Sequence, residues 1–137
     1  MTHTATLFMP GCAVASSTPA VHRKSADGDA RAVFDRFVDL LYRRHQVRAA
    51  FESCVAQQGY RDHASAGSGS RAQAMSLLGP RLGAAGARVE LLHTVFDGDI
   101  GMVHLQVAQD GRAPPTPRVE VFRVAGGRIV EHWSVAA

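Results

Sequence analysis

The sequence predicts an α+β domain in which N-terminal helices pack on a curved antiparallel sheet. Apolar residues recur at helical spacing through residues 29–83. After Gly86 the apolar period changes to two, and glycine-containing turns divide the remaining chain into four strands. Helices followed by an antiparallel meander are typical of the α+β class, and a sheet curled around helices leaves a pocket between them.

Three helices are predicted. The helical pattern of the first starts at Asp29, with Asp27 or Asp29 as its cap, and the second lies in "QVRAAFESCVAQ", where the apolar residues form one stripe. The third is capped by Ser70 and interrupted near Gly79-Pro80. Residues 60–70, "YRDHASAGSGS", are predicted to form the loop between the last two helices.

Four strands follow, arranged as two hairpins. Residues 88–96 and 100–109 flank a "DGD" turn, and residues 118–124 and 128–136 flank Gly126-Gly127. These strands complete a single domain over residues 30–137, preceded by a leader over residues 1–29 whose Ala, Ser, Thr and Pro content predicts disorder.

Composition excludes several classes of partner. The chain has 137 residues, a net charge of +3 and a pI near 9.4, but its basic residues are scattered, which argues against a nucleic-acid partner. No apolar run reaches the ~20 residues of a membrane span. Cys12 and Cys54 do not form a disulfide framework. We expect a cytoplasmic protein; export, with the leader as a degenerate signal, is the alternative.

Two segments, "AAFESCVAQQGYRDH" and "VEVFRVAGGRIVEHWSV", resemble the SnoaL-like polyketide cyclases of the NTF2-like superfamily. The resemblance covers Ala30 to Ala137. It implies a cone-shaped barrel, a homodimer, a pocket at the wide end, and no metal or organic cofactor. Characterised relatives close rings by aldol condensation, and others of the fold isomerise, dehydrate, open epoxides or only bind ligands.

The chain departs from this family at the positions that carry chemistry. Ser134 stands where relatives commonly have the aspartate of "EHWD". His63 matches a family histidine, but the Asn-Pro that follows it in relatives is absent. His104 and Gln106 stand where relatives often have two histidines. A serine without a neighbouring base does not accept a proton, so another residue has to supply the base.

The register of the last hairpin decides which side chains face the pocket. A two-residue loop at Gly126-Gly127 pairs Glu120 with Trp133, whereas a three-residue loop pairs Glu120 with His132. We adopt the three-residue loop, because relatives point an acid at the Glu120 position into the pocket. Glu120, Phe122, His132 and Ser134 then share one face, and Trp133 lies on the outer face with Ile129, Glu131 and Val135.

These positions define the predicted site. Glu120 is the expected base, and His132 polarises a carbonyl or returns the proton; a structural salt bridge from Glu120 to a nearby arginine is the alternative. His104 is predicted to line the same pocket as a third catalytic residue, with Gln106 beside it on that face. Tyr60 and His63 are expected at its mouth, and no metal site is expected among the histidines. The substrate-binding set is Tyr60, His63, Gln106, Phe122 and Ser134.

The resulting functional hypothesis is a SnoaL-like pocket protein for a small, apolar carbonyl or polyketide-like ligand. If the chain is an enzyme, it performs cofactor-free acid/base chemistry as an aldol-type cyclase, isomerase or hydrolase. The alternative is a ligand-binding or dimerisation module that has lost the acid at position 134. A third reading is an accessory domain that binds a protein through its exposed sheet. We expect a homodimer formed through the outer sheet face.

Overall fold

The computed structural model describes residues 21–66, 68–109 and 111–136. Its helices are α1 (Val21–Val38), α2 (Val47–Cys54) and α3 (Arg71–Gly83), and a π-helical turn, Asp39–Arg43, follows α1 directly. Its strands are β1 (Arg61–Asp62), β2 (Arg88–Asp97), β3 (Ile100–Ala108), β4 (Thr116–Ala125) and β5 (Arg128–Ala136).

The strands form one sheet in the order β1-β5-β4-β3-β2. Strands β2 to β5 are antiparallel neighbours, whereas β1 pairs in parallel with β5. The predicted α+β fold of helices on a curved sheet is confirmed. The prediction of a loop over residues 60–70 is wrong at its start, because Arg61 and Asp62 form the edge strand β1 beside β5.

The helices cover one face of the sheet, here called the inner face, through a cluster of aromatic rings. Phe37 of α1 contacts Phe122 of β4 at a centroid distance of 5.1 Å and Phe51 of α2 at 5.7 Å. Edge-to-face rings at this spacing add about 1 kcal/mol each beyond their burial. The predicted apolar stripe of α2 is confirmed, since Ala50, Phe51 and Cys54 are all buried.

Two helix boundaries differ from the prediction. Helix α1 begins at Val21, so Asp29 lies within it rather than at its start. Helix α3 continues through Gly79-Pro80 to Gly83, although Pro80 removes one backbone donor. The cap of α3 is confirmed, because Ser70 Oγ accepts a hydrogen bond from the Gln73 amide at 3.3 Å.

Residues 1–20, most of the predicted leader, lie outside the described residues. The choice between a cytoplasmic and an exported protein, which depended on that leader, therefore stays a prediction. Among the helices of the described residues, none combines the length and apolar character that a bilayer crossing requires.

The β4–β5 hairpin combines a two-residue turn with a bulge. Gly126 and Gly127 both have positive φ, 57° and 71°, as a tight hairpin turn requires. The pairing then shifts by one residue at Val130, so that Glu120 lies opposite Ser134 and not opposite His132. The predicted three-residue loop is therefore wrong, but Glu120, Phe122, His132 and Ser134 do share one face.

The bulge also changes the position of one predicted outer residue. Ile129 lies on the turn side of the bulge, pairs with Val124 and is fully buried. Beyond the bulge the alternation is reversed, and Trp133 pairs with Val121 on the outer face. The prediction for Ile129 is wrong for this reason.

Candidate active site

A cavity of about 200 Å³, here called the inner cavity, lies between the helices and the inner face of the sheet. Most of its wall is apolar, and its polar groups come from the π-helical turn, α3, β4, β5, the end of β3 and the segment around β1. An apolar cavity with a few convergent polar groups is the usual form of a small-molecule site. The polar lining includes Tyr42, Tyr60, Asp62, Glu120, His132 and Ser134.

His132 lies between two carboxylates. Its Nδ1 donates to Asp62 Oδ1 at 3.0 Å, and its Nε2 donates to Glu120 Oε2 at 2.6 Å. Burial alone lowers the pKa of His132, but the hydrogen bonds and charges of the two carboxylates outweigh it and raise the pKa to about 9. The ring is therefore an imidazolium at neutral pH, with neither N–H free for a ligand.

The Phe122 ring further fixes the imidazolium. Its centroid lies 4.7 Å from that of His132, and the two planes differ by 14°. A cation against an aromatic face is attracted by the ring quadrupole, more strongly where water is excluded. Phe122 thus orients His132 and separates it from the helices.

Glu120 keeps one oxygen that is lightly engaged. Its Oε1 accepts a hydrogen bond from Ser134 Oγ at 3.0 Å, and Arg118 Nη1 lies 3.8 Å away. Glu120 is buried, so its charge is sensitive to each of these neighbours. Ser134 thus acts as a donor to the carboxylate and does not replace it.

Asp62 is more completely bound than Glu120. Besides His132, its Oδ1 accepts from the Ala64 amide at 2.9 Å, and its Oδ2 accepts from Ser65 Oγ at 3.0 Å. Burial raises the pKa of Asp62, but the His132 imidazolium and these donors outweigh burial and lower it. Asp62 is consequently held as a carboxylate.

Backbone contacts of β1 hold Asp62 in the cavity. The His63 amide donates to the His132 carbonyl at 2.8 Å, and the Asp62 amide donates to the Gly69 carbonyl at 2.8 Å. Gly69 has a φ of 59°, and a Cβ at this position would lie 2.7 Å from the Asp62 carbonyl oxygen. Only glycine fits this approach, so Gly69 is required for the placement of Asp62.

Two tyrosines supply neutral donors to the same cavity. Burial, then the charges of Asp62 and Glu120, raises the pKa of the Tyr60 hydroxyl. Burial, and next the charge of Glu120, likewise raises the pKa of Tyr42 well above its usual value. Both hydroxyls therefore stay protonated, and no hydrogen bond within the described part of the chain engages either one.

Five of the eight predicted site residues line the inner cavity: Tyr60, Glu120, Phe122, His132 and Ser134. Asp62, which the prediction omitted, joins them. The only sign of it in the sequence is that Asp62 directly precedes His63. Neighbouring residues of a strand point to opposite faces, so Asp62 faces the cavity if His63 faces outward. That signal has meaning only once β1 is known to be a strand.

His63 is the first of three predicted site residues outside the cavity. Its ring stacks on Trp133 at a centroid distance of 5.0 Å on the outer face, and its Nε2 lies 3.3 Å from Glu131 Oε1. The reason is again alternation, since Asp62 occupies the inward position of β1.

His104 and Gln106 are the other two, and both lie on the outer face of β3. Val103 and Leu105 are buried on the inner face, so the alternate residues point away from it. His104 Nδ1 lies 3.2 Å from His93 Nδ1 on the neighbouring strand. The prediction that His104 and Gln106 share one pocket with Glu120 is wrong, and Gln106 instead lines a second, neighbouring cavity.

Clusters of three or more His, Cys, Asp or Glu side chains arranged to hold a metal ion are not found among the described residues. The carboxylates and imidazole of the cavity are instead bound to one another. The expectation that no metal or cofactor takes part stays a prediction.

Comparison with known proteins identifies the fold. No protein-family model and no curated protein matches the sequence. An NTF2-like protein of unknown function from Mesorhizobium loti is similar over 81% of this chain and 93% of its own, with a TM-score of 0.68 and 20% identity. The predicted NTF2-like fold, which SnoaL-like proteins share, is confirmed.

Two further solved structures of this fold carry the names of two different activities. A protein assigned as a SnoaL-like polyketide cyclase from Jannaschia sp. CCS1 is 18% identical, over 77% of this chain and 85% of its own, with a TM-score of 0.62. An LEH-like epoxide hydrolase from M. tuberculosis is 15% identical, over 80% and 84%, with a TM-score of 0.59. The chain is a pocket protein of the NTF2-like fold, and its chemistry has to be argued from its own side chains.

Proposed function

We propose that this chain is a cofactor-free acid/base enzyme that acts on a small, mostly apolar carbonyl compound. The observation that carries the proposal is the chain of hydrogen bonds Asp62–His132–Glu120 at the polar end of an apolar cavity. Two neutral tyrosine hydroxyls line the same cavity. The arrangement supplies a base and oxyanion donors without any further group.

Glu120 is the proposed proton acceptor. Glu120 accepts two hydrogen bonds, from His132 and Ser134. Asp62 accepts three, from His132, the Ala64 amide and Ser65. Glu120 takes a proton from the carbon beside the substrate carbonyl, and a tyrosine hydroxyl donates to the resulting enolate oxygen. Protonated Glu120 then returns the proton to another carbon in an isomerisation, or to the new alkoxide in an aldol closure.

His132 has a different role from the one that the sequence suggests. Both of its N–H groups are bound to carboxylates, so it does not polarise the substrate carbonyl. It acts as a positioning residue, because its charge and its two hydrogen bonds fix Glu120 relative to Asp62. This role is compatible with the serine at position 134, since Asp62 of β1 supplies the second carboxylate that binds His132.

Deuterium exchange into cyclohexanone tests the proposal without knowledge of the natural substrate. In D₂O the wild-type protein should introduce deuterium at the carbons beside the carbonyl, as followed by NMR. Glu120→Gln should lower this rate by about 100-fold or more, since a positioned base contributes at least that much. His63→Gln, on the outer face, is the matched control and should retain the wild-type rate.

The alternative function, a ligand-binding module, gives a different result in the same experiment. Cyclohexanone would then raise the melting temperature of the wild-type protein while its deuterium content stayed at the level seen with Glu120→Gln. That outcome would reject the enzyme and leave a binding pocket.

We also propose that the outer sheet face pairs with a second copy of the chain. Its apolar side chains include Val95, Met102 and Val135, which are 56%, 40% and 62% exposed, together with Trp133. Contiguous exposed apolar side chains on a sheet are typical of an interface. Sedimentation equilibrium should give the mass of two chains, and Met102→Glu should give one, whereas Ala72→Glu on α3 should not change the mass.

A further inference from the structure

A second cavity of about 790 Å³ adjoins the inner cavity. Three residues, Tyr42, Ala87 and Val89, line both and so form the wall between them. Ala87 and Val89 are small and belong to β2 or the residue before it. The Tyr42 ring is therefore the largest side chain of the wall.

The backbone around Tyr42 is unusual. Tyr42 lies in the π-helical turn Asp39–Arg43, and His45, two residues after the turn, has a φ of 54°. Single π-helical turns occur often at functional sites, and a non-glycine residue at positive φ is held there only by the structure around it. Both features lie directly beside the wall between the cavities.

The charge of the second cavity is positive. Its lining contains Arg43, His45 and Arg88, with Glu90 as the one carboxylate among the described lining residues. Within the described part of the chain, no ion pair engages Arg88 or His45. An acidic group would find these donors available.

Arg43 adds to this positive charge. It approaches Asp39 only to 3.9 Å, while Arg44 holds the same carboxylate at 2.7 Å. Because Arg44 lies closer to Asp39 than Arg43 does, the guanidinium of Arg43 remains available to a ligand in the second cavity.

The small volume of the inner cavity limits the size of the ligand that it can hold. Pockets for drug-sized ligands usually enclose about 300 to 1,000 Å³, and the inner cavity is below that range. It therefore accommodates a single ring beside Glu120. A larger substrate needs further space, and the second cavity, which shares Tyr42 with the inner one, adjoins it.

We propose that the second cavity binds the acidic tail of a two-part substrate whose single-ring, carbonyl-bearing head occupies the inner cavity. The Tyr42 side chain is the boundary between head and tail and limits the size of the head. The assignment of the head rests on the proposed function, whereas the tail site rests on the second cavity and its cations.

Three phenols measured by calorimetry test this inference: 4-ethylphenol as the head, 5-(4-hydroxyphenyl)pentanoate with an acidic tail, and 5-(4-hydroxyphenyl)pentan-1-ol with a neutral tail. The carboxylate should bind the wild-type protein about fivefold more tightly than the alcohol, as expected for a partly exposed ion pair. Arg88→Ala should remove this difference and leave 4-ethylphenol unaffected. Arg48→Ala, an exposed arginine of α2, is the matched control.

A second set of variants tests the boundary. Tyr42→Leu should strengthen the binding of 4-cyclohexylphenol, a two-ring head, relative to 4-ethylphenol, and Tyr42→Phe should not. Because Arg88 is exposed, its variant tests the tail site even if Tyr42→Leu fails to fold.

The outcomes separate the two proposals. If 4-ethylphenol binds but the acidic and neutral tails bind equally, the tail site is rejected and the proposed function is untouched. If the carboxylate is preferred through Arg88 while Glu120→Gln leaves deuterium exchange unchanged, the tail site stands and the proposed function fails. If none of the phenols binds, the tail site is rejected, and the proposed function is decided by the deuterium exchange into cyclohexanone alone.

Discussion

The two faces of the sheet at β1 and β5 carry similar chemistry in different surroundings. On the inner face, His132 binds Asp62 and Glu120. On the outer face, His63 lies against Glu131, which also binds Arg123, and Trp133 stacks on His63. Each face thus has a histidine, a glutamate and an aromatic ring. Alternation along β5 turns His132 inward and Glu131 and Trp133 outward, whereas the inner glutamate and ring come from β4.

Burial separates the two sets. The His132 side chain is 12% exposed, whereas that of His63 is 41% exposed. Exposed ion pairs contribute about 0 to 1 kcal/mol because water screens them, but loss of one partner of a buried pair leaves an uncompensated charge. The inner set is therefore coupled to folding and to the proposed chemistry, while the outer set is a solvated surface cluster.

The largest expected difference is in stability. His132→Leu leaves Asp62 and Glu120 as buried carboxylates without their shared cation, so the free energy of unfolding at neutral pH should fall by about 3 kcal/mol. His63→Leu should lower it by less than about 1 kcal/mol. Urea unfolding followed by circular dichroism measures both.

Equal losses in the two variants would contradict the comparison, since the faces would then be energetically equivalent. The His132→Leu variant gives a second check through its own pH dependence. Its deficit should shrink as the pH falls and the two carboxylates take up protons.

The second expected effect is a pH dependence confined to the inner set. The pKa of His132 rises from 6.5 in the unfolded chain to about 9 in the folded one, which corresponds to about 3 kcal/mol. This stabilisation is fully present below about pH 6.5 and is lost as the pH rises through about 9. Asp62 has the opposite sign: its lowered pKa stabilises the fold above about pH 3.8, and that stabilisation is lost in stronger acid.

Unfolding free energies measured from about pH 6 to pH 10 test this slope. The wild-type protein and His63→Gln should lose stability in parallel across this range, while His132→Gln should lack the part due to His132. A wild-type curve parallel to that of His132→Gln would show that the imidazole is not held as an imidazolium.

Much of the fold follows from the sequence. The switch from helical to alternating periodicity, the glycine turn and the apolar stripe of α2 are local signals, and each predicted the element that the structure contains. Glu120 and His132 were placed on one face for a related reason, because alternation over a few residues is a local property. The predicted pairing of Glu120 with His132 was nevertheless wrong, because the extra residue lies in β5 at Val130 and not in the turn.

The candidate site was predicted less completely, and the omissions have one cause. Asp62 was omitted because β1 has two residues and its partner His132 is 70 positions away. His104 was misplaced because a histidine on an apolar strand does not show which of the two faces is covered. Neither question is answered by local periodicity.

The sequence by itself determined the order of helices and strands and the turn at Gly126-Gly127, since both depend on neighbouring residues. Only the tertiary structure decided that Asp62 supplies an acid from another strand and that Tyr42 divides two cavities. The physical reason is that burial and long-range pairing set which charges meet, and both arise when distant segments pack together.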